Sequence, residues 1–292
     1  MLDIRPSTAM DDGPQPLWDE QTQGLPAPGG VVKPFPGLEL LEKWNGLGYK
    51  ERCSYRYRRP LDGQNMHPDA KLTLLERLMA IYDRFMGQFD PACQKYCSHC
   101  CTANVTMTTL EGYRLIAYLE QRGDLHFLES ISRKRHPDRF MPRVSINHMA
   151  DICARGGAPP DEPLDPQAGP CPILEDHACP IYSVRPFACR CMVSAVNCGR
   201  TGYADMAPLI LAVNEVFLQF LEHVDAHGYS GNFVDVMQFL GSGDGRRQYA
   251  AGRGNAPPAG LVANQPASVL MIPPQYRERI QLLLSQIRTL HI

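Results

Sequence analysis

Four cysteines crowd into nine positions at residues 93–101, CQKYCSHCC, and the last two are adjacent. No other stretch so narrows what this chain can fold into. Thiolates packed that closely repel one another, and a bound cation removes the cost. The spacing is C-x3-C-x2-CC, formed by Cys93, Cys97, Cys100 and Cys101. Asp90 and Pro91 precede it as an N-cap and first-turn proline precede a short helix. At about 100° per residue, Cys97, Cys100 and Cys101 lie about 40°, about 20° the other way and about 80° from Cys93. A short helix therefore gathers all four sulfurs on one face, and a tight knuckle loop does the same. The plainer alternative is a run of small buried hydrophobes. Gln94, Lys95, Ser98 and His99 make the stretch a poor core segment.

A second cluster, CPILEDHACPIYSVRPFACRCMVSAVNC (171–198), holds Cys171, Cys179, Cys189, Cys191 and Cys198. Pro172 and Pro180 stiffen the backbone after two of these cysteines, which suits ligands held in fixed geometry. ILEDHACPIY reads as two short extended pieces joined by a polar turn at Glu175–His177. Ser183 and Pro186 read as the opening turn of a helix carrying Cys189. Nine cysteines in two groups about 70 residues apart predict metal ligation. Cys53 and Cys153 lie outside both groups and read as ordinary buried thiols. The total of eleven is odd, so any disulfide scheme leaves a cysteine over.

The two motifs in this order resemble the YkgJ-type cysteine-cluster proteins. Their hallmark is a C-x3-C-x2-CC element followed by CP-x-L, then C-x-IY-x-x-RP-x-x-C. Cys93, Cys97, Cys100, Cys101, Cys171, Cys179 and Cys189 fall on that pattern, as do Pro172, Leu174, Ile181, Tyr182, Arg185 and Pro186. An eighth family cysteine corresponds to Cys198, with Cys191 as competitor. The resemblance spans residues 90–200 and implies chelation of zinc or iron; some relatives look like flagellin lysine N-methylases. Two departures stand out. Pro180 replaces a more usual polar residue, and the Cys101–Cys171 spacer is long.

Thiolate ligands select zinc or an iron–sulfur cluster over hard cations. Eight thiolates satisfy two tetrahedral zinc ions; alternatively, four hold one [4Fe–4S] cluster while the rest support a second site. Adjacent Cys100 and Cys101 are expected to serve different metals, or one to stay outside the coordination sphere. Zinc as a structural staple is the less demanding role, and the expectation leans to it. His99 and His177 are alternative ligands, and Arg185 is a hydrogen-bond donor to backbone or sulfur.

Three other functions compete. Cys93-x3-Cys97-x2-Cys100 has the spacing of a radical SAM cluster site, but the chain lacks the alternating strand–helix pattern of the barrel such enzymes need. A soft-metal chaperone would use Met107, Met149 and Met192, though dispersed methionines usually pack cores. A methyltransferase needs a nucleotide loop, and GSGDG (241–245) follows a helix rather than a strand. Nothing in the pattern defends a catalytic residue, so enzymatic activity is an open question.

The rest of the chain reads as mainly α: a helical domain with an irregular cysteine-rich core and a short hairpin-like segment. Residues 1–60 form a Pro/Gly-rich arm, loosely ordered in part, with a basic run at 51–60. Residues 61–240 form the helical cysteine-cluster domain. Leu72, Leu75, Leu78, Met79 and Tyr82 mark one amphipathic helix. Thr108 and Glu111 form a capping box for a second, whose apolar face is Leu115, Ile116, Tyr118 and Leu119 and whose stop is Gly123. Segments near 124–135, 145–154 and 205–240 also read as helical. A flexible linker is expected at 241–262 and a final helix in 263–292, beginning after Pro274. The formal charge of −2 gives no electrostatic case for nucleic acid or an anionic membrane. The N-terminus shows no secretory pattern, and a cytoplasmic location is expected. Besides the metal, the arm or the 102–170 spacer is the expected place for a protein partner.

Overall fold

The computed structural model describes residues 55–56, 66–93, 96–124, 126–162, 168–252 and 256–290. The arm at 1–37, most of the basic run and Cys53 lie outside the described residues. The fold is mainly α, as the periodicities predict. A two-residue strand β1 (Tyr55–Arg56) precedes α1 (Pro68–Met86), β2 (Thr106–Thr108), α2 (Thr109–Arg122), α3 (Phe127–Arg133) and α4 (Ile146–Ala154). The second cysteine cluster carries two single turns, α5 (Phe187–Arg190) and α6 (Cys198–Thr201). Then come α7 (Pro208–Val224), β3 (Tyr229–Asn232), α8 (Phe233–Gly241), α9 (Gly243–Ala250), β4 (Leu261–Ala263), β5 (Val269–Leu270) and α10 (Arg277–Arg288).

Strands β2, β3 and β4 pair antiparallel in that order, and β1 pairs antiparallel with β5. Among the described residues there are no parallel strand–helix repeats, so the radical SAM reading finds no barrel to rest on. No described helix is long and apolar enough to cross a membrane.

α7 is the axis of the core. Nearly every side chain from Leu209 to Val224 is buried, so its neighbours surround it on all sides. Polar residues that interrupt the apolar pattern are part of this packing. Asn214 accepts a hydrogen bond from the Tyr82 hydroxyl (2.8 Å) and donates to the Cys191 carbonyl (3.1 Å). Gln219 donates to Asn147 Oδ1 and the Val269 carbonyl while accepting from Met271 N–H. Such pairing offsets the cost of burying amides, which unpaired would be about 1–3 kcal/mol each. An aromatic trio, Tyr82, Phe217 and Phe187, joins α1, α7 and α5 with centroid distances of 4.7–5.9 Å. Phe187 thereby seats the turn that carries Cys189.

α2 begins at the expected capping box and ends at Gly123, whose φ of 71° needs a residue without Cβ strain. Gly112 lets α2 approach α8, because a Cβ there would fall 2.7–2.8 Å from Leu240 and Val236 side-chain carbons. The glycine-rich stretch after 241 departs from its loop-like composition. Ser242 accepts from Gly245 N–H and caps α9, whose Tyr249 is buried and donates to Asp225 at 2.7 Å. Burial of one tyrosine and a serine cap outweigh the weak helix propensity of glycine. The final helix begins after a single 3₁₀ turn at Pro274–Tyr276.

Glu111 does more than cap its own helix. Oε2 accepts from Thr108 N–H and Thr108 Oγ1, both at 2.9 Å, while Oε1 accepts from Phe187 N–H at 2.7 Å. One buried carboxylate therefore closes the N-termini of both α2 and α5. Truncation in Glu111→Ala leaves two buried backbone donors unmet. The expected loss is about 2–4 kcal/mol of unfolding free energy, with a smaller loss for Glu111→Gln, read by urea denaturation.

Candidate metal centre

The first cysteine motif is a loop, and the helix expected from Asp90 and Pro91 does not form among its described residues. Tyr96 has φ 73°, a left-handed conformation that ends any right-handed turn there. The chain then turns tightly, with Cys101 N–H donating to the Ser98 carbonyl and Thr102 N–H to that of Cys100. This is the knuckle arrangement that the spacing also allowed.

The second motif opens with a tight hairpin. Glu175 and Ala178 exchange both backbone hydrogen bonds, at 3.0 and 2.7 Å. Asp176 and His177 between them have φ of 44° and 64°. Two successive left-handed residues define the hairpin turn that matches strand twist, and Asp is among the residues that tolerate it. Pro180 is exposed and does not prevent the hairpin from closing. The expected helix opening at Ser183 is divided: Tyr182–Val184 is a separate 3₁₀ turn, and α5 begins after Pro186 with Glu111 as its capping acceptor.

Backbone bonds tie the two motifs together. Cys171 N–H donates to the Cys101 carbonyl at 2.9 Å, Ala103 N–H donates to the Gly169 carbonyl at 3.0 Å, and Thr102 and Pro170 form an antiparallel bridge between them. The His177 ring at the hairpin tip meets Ser98 Oγ at 2.7 Å. Asn232 buttresses this seam, donating to the carbonyls of Ala103 and Phe140.

Around the seam lies a cavity of about 260 Å³, lined by Cys93, Cys97, Cys100, Cys101, Cys171, Cys179 and Cys189. Seven cysteines from both motifs thus face one space. Its rim carries Tyr96, His177, Tyr182 and Arg185. Arg185 donates to the Tyr182 carbonyl at 2.8 Å and stacks over that tyrosine's ring at 3.8 Å. Cys191 and Cys198 do not line the cavity. Cys191 is 2% exposed and its thiol points to the Ala188 carbonyl at 3.6 Å. Cys198 points to the Val196 carbonyl at 3.8 Å. Cys153 sits apart, fully buried with Ala150 and Met271 in a small separate core.

Burial raises the Cys171 thiol to about 11, with Cys179 adding to the effect. Burial likewise pushes Cys189 well above the ordinary thiol range, reinforced by Cys171, Cys179, Cys100 and Cys191. Cys100 is raised chiefly by its hydrogen bond with Cys101 and then by burial. Cys179 is raised by burial and partly relieved by Arg185. Each cause disfavours the thiolate, because charge taken from water into a low-dielectric pocket is costly. All these cysteines are free thiols. In this arrangement the sulfurs surround a space rather than a point: among the described residues, no group of three or more Cys, His, Asp or Glu is gathered closely enough to hold an ion. The donor set nonetheless fits a soft cation, since it is rich in sulfur and sheltered from competing water.

Sequence reasoning did not find the roles of Glu111, Ser98 and Asn214. Glu111 was legible only as a cap, and nothing local marks the distant donor it also serves.

Residues 92–207 match the CxxCxxCC family model, described as a putative zinc- or iron-chelating domain. This is the family that the two motifs resemble. No curated protein and no solved structure matches the chain.

Exposure orders the thiols for chemical labelling. With metal stripped by chelator, Cys97 is expected to be alkylated first at neutral pH, and the buried Cys153 and Cys191 last. Mass mapping over time checks the order, which reverses if the buried pair is accessible.

Proposed function

We propose, taking the chelating domain at 92–207 as premise, that Cys100, Cys101, Cys171, Cys179 and Cys189 supply thiolates to a polynuclear metal centre in the cavity, an iron–sulfur cluster. The supporting observation is the size of the space that both motifs line. A single zinc draws its four sulfurs to about 2.3 Å from one point and leaves no room between them. A cluster of irons and sulfides holds its cysteines around a body, and about 260 Å³ bounded by cysteines suits the latter. Zinc is the second reading, favoured by the partial burial of Cys171 and Cys189, because structural zinc sites are closed.

This chain's residues would prepare the site in three ways. The Cys101–Cys171 backbone bond fixes the spacing of ligands from the two motifs. The Glu111 cap and the aromatic trio fix the turn bearing Cys189. Arg185, at the rim, brings positive charge towards Cys179 and Cys100 and offsets part of the thiolates' negative charge. Bound metal would supply the cation that makes several adjacent thiolates stable, and its ligation energy would add to that of the fold.

Anaerobic purification with iron, sulfide and zinc analysis and a visible spectrum tests this reading. Iron with equimolar sulfide in a coloured protein supports the cluster; zinc in a colourless one supports the second reading; neither metal, after reconstitution with both, overturns metal binding. Cys179→Ser is expected to lower the metal content and the Tm, whereas Cys153→Ala keeps the metal. Loading is also expected to release protons. Thiols held above their usual range stay protonated at neutral pH, so metal and proton compete. Affinity should rise with pH by up to about one log unit per pH unit for each thiol ionised. Titration of the metal at several pH values reads the slope.

A further inference from the structure

Five large apolar or aromatic side chains are exposed among the described residues, and three of them stand on the cysteine-bearing loops. Tyr96 lies within the knuckle (61% exposed), Tyr182 follows the hairpin (46%) and Tyr203 comes just after α6 (42%). These loops form one face. Tyr96 and Tyr182 both line the mouth of the cavity, together with His177 and Arg185. The Ser98–His177 contact joins the knuckle to the hairpin tip. A Cβ at Gly199 would overlap the His99 imidazole, so α6 is seated against the knuckle too. Aromatic rings gain by leaving water, and several left exposed around one opening mark a surface that a partner covers.

The backbone singles out the same face. Among the described residues, the non-glycine positions with left-handed φ are Tyr96 (73°), Asp176 (44°) and His177 (64°), and all three lie on it. Asp tolerates that region; a bulky tyrosine is an outlier there, and such strain gathers at functional surfaces. The Tyr96 ring so held is turned to solvent and not packed into the core.

The charges on this face decide what can cover it. Glu175 and Asp176 are exposed at the hairpin tip, Arg200 is exposed on α6, and Arg185 stands half-buried at the mouth. None of the four has an ion-pair partner among the described residues. A partner surface of one sign would meet like charge somewhere on the face. A second copy of the same face, turned about a twofold axis, can set acid against cation in both directions, because an isologous contact need only complement itself.

We infer that the face built from the knuckle, the hairpin and α6 is a twofold interface, covered by the same face of a second copy of this chain. Tyrosine anchors with charges around them are the composition of such contacts. Two cavity mouths then face each other, and the cysteine-lined spaces are screened from bulk water. The inference holds whichever metal the cavity takes.

Sedimentation velocity of the full-length protein, purified anaerobically and kept with a phosphine reductant, tests it. The mass is expected to rise from 32.6 kDa towards twice that value as the concentration goes from about 1 to about 100 µM. Tyr96→Asn should weaken association more than about 10-fold. Asparagine accepts a left-handed backbone, so this variant is expected to keep its Tm and its metal content and to report association alone. Arg200→Glu should weaken association as well, whereas Leu282→Ser, at an exposed position on α10, should leave it unchanged. A wild type that stays monomeric at about 100 µM overturns the interface. So does a dimer that a denaturing gel without reductant shows to be disulfide-linked, association undiminished in Tyr96→Asn or Arg200→Glu, or association lost equally in Leu282→Ser. Each of these results leaves the metal reading standing.

Discussion

The short backbone seam between Cys101 and Cys171 is the constraint on which the cysteine region depends. Side chains about 70 residues apart in sequence can share a centre only if something fixes the distance between their backbones before any ligand arrives. Two amide-to-carbonyl bonds, which together make the bridge at Thr102, do this, and the Ser98–His177 contact closes the far end. Each such bond contributes only about 1 kcal/mol net. Their effect is chiefly geometric, since three weak ties spread along two turns leave little freedom of relative rotation.

The seam would be fragile on its own, and the helical core supplies its rigidity. Asn214, in the middle of the most buried helix, holds the carbonyl of Cys191. Glu111 holds the amide of Phe187, and Asn232 holds Ala103 from below. Asp225 performs the same service for the other end of the bundle, accepting from Thr109, Leu110, Tyr249 and Asn264. Burial raises the Asp225 carboxyl to about 6. This protein thus places buried polar side chains on and around its central helix and uses them as fixed acceptors and donors for loops that lack regular hydrogen bonding.

Much of this was legible in the sequence, and the illegible part has identifiable causes. The stripe of Leu75, Leu78, Met79 and Tyr82, the Thr108–Glu111 box and the stop at Gly123 are local signals, and local physics determines them. The polar turn at 175–177 was readable because a two-residue reversal admits few residue types. The helix proposed for the first motif was not formed because Tyr96 takes a left-handed conformation, which no propensity of tyrosine foretells. The helix at 243–250 escaped notice because the burial of Tyr249 against Asp225 is a tertiary gain that composition does not record. Which cysteines face the cavity was beyond reach for a similar reason: Cys189 and Cys191 differ by two positions in the chain, yet one turn of α5 sends them to opposite surroundings.

The packing of Phe187 against Tyr82 and Phe217 has a consequence for where this domain begins and ends. The matched stretch, 92–207, looks like a module on paper, but its interior is completed from outside. Tyr82 and Phe217 sandwich Phe187, Asn214 and Asn232 hold its carbonyls, and Phe233 closes part of its pocket. Excised along those borders, the fragment would expose an apolar flank and lose the partners of its irregular turns. The sulfur-bearing region of this chain therefore shares one continuous core with the bundle around it and takes its shape from that core.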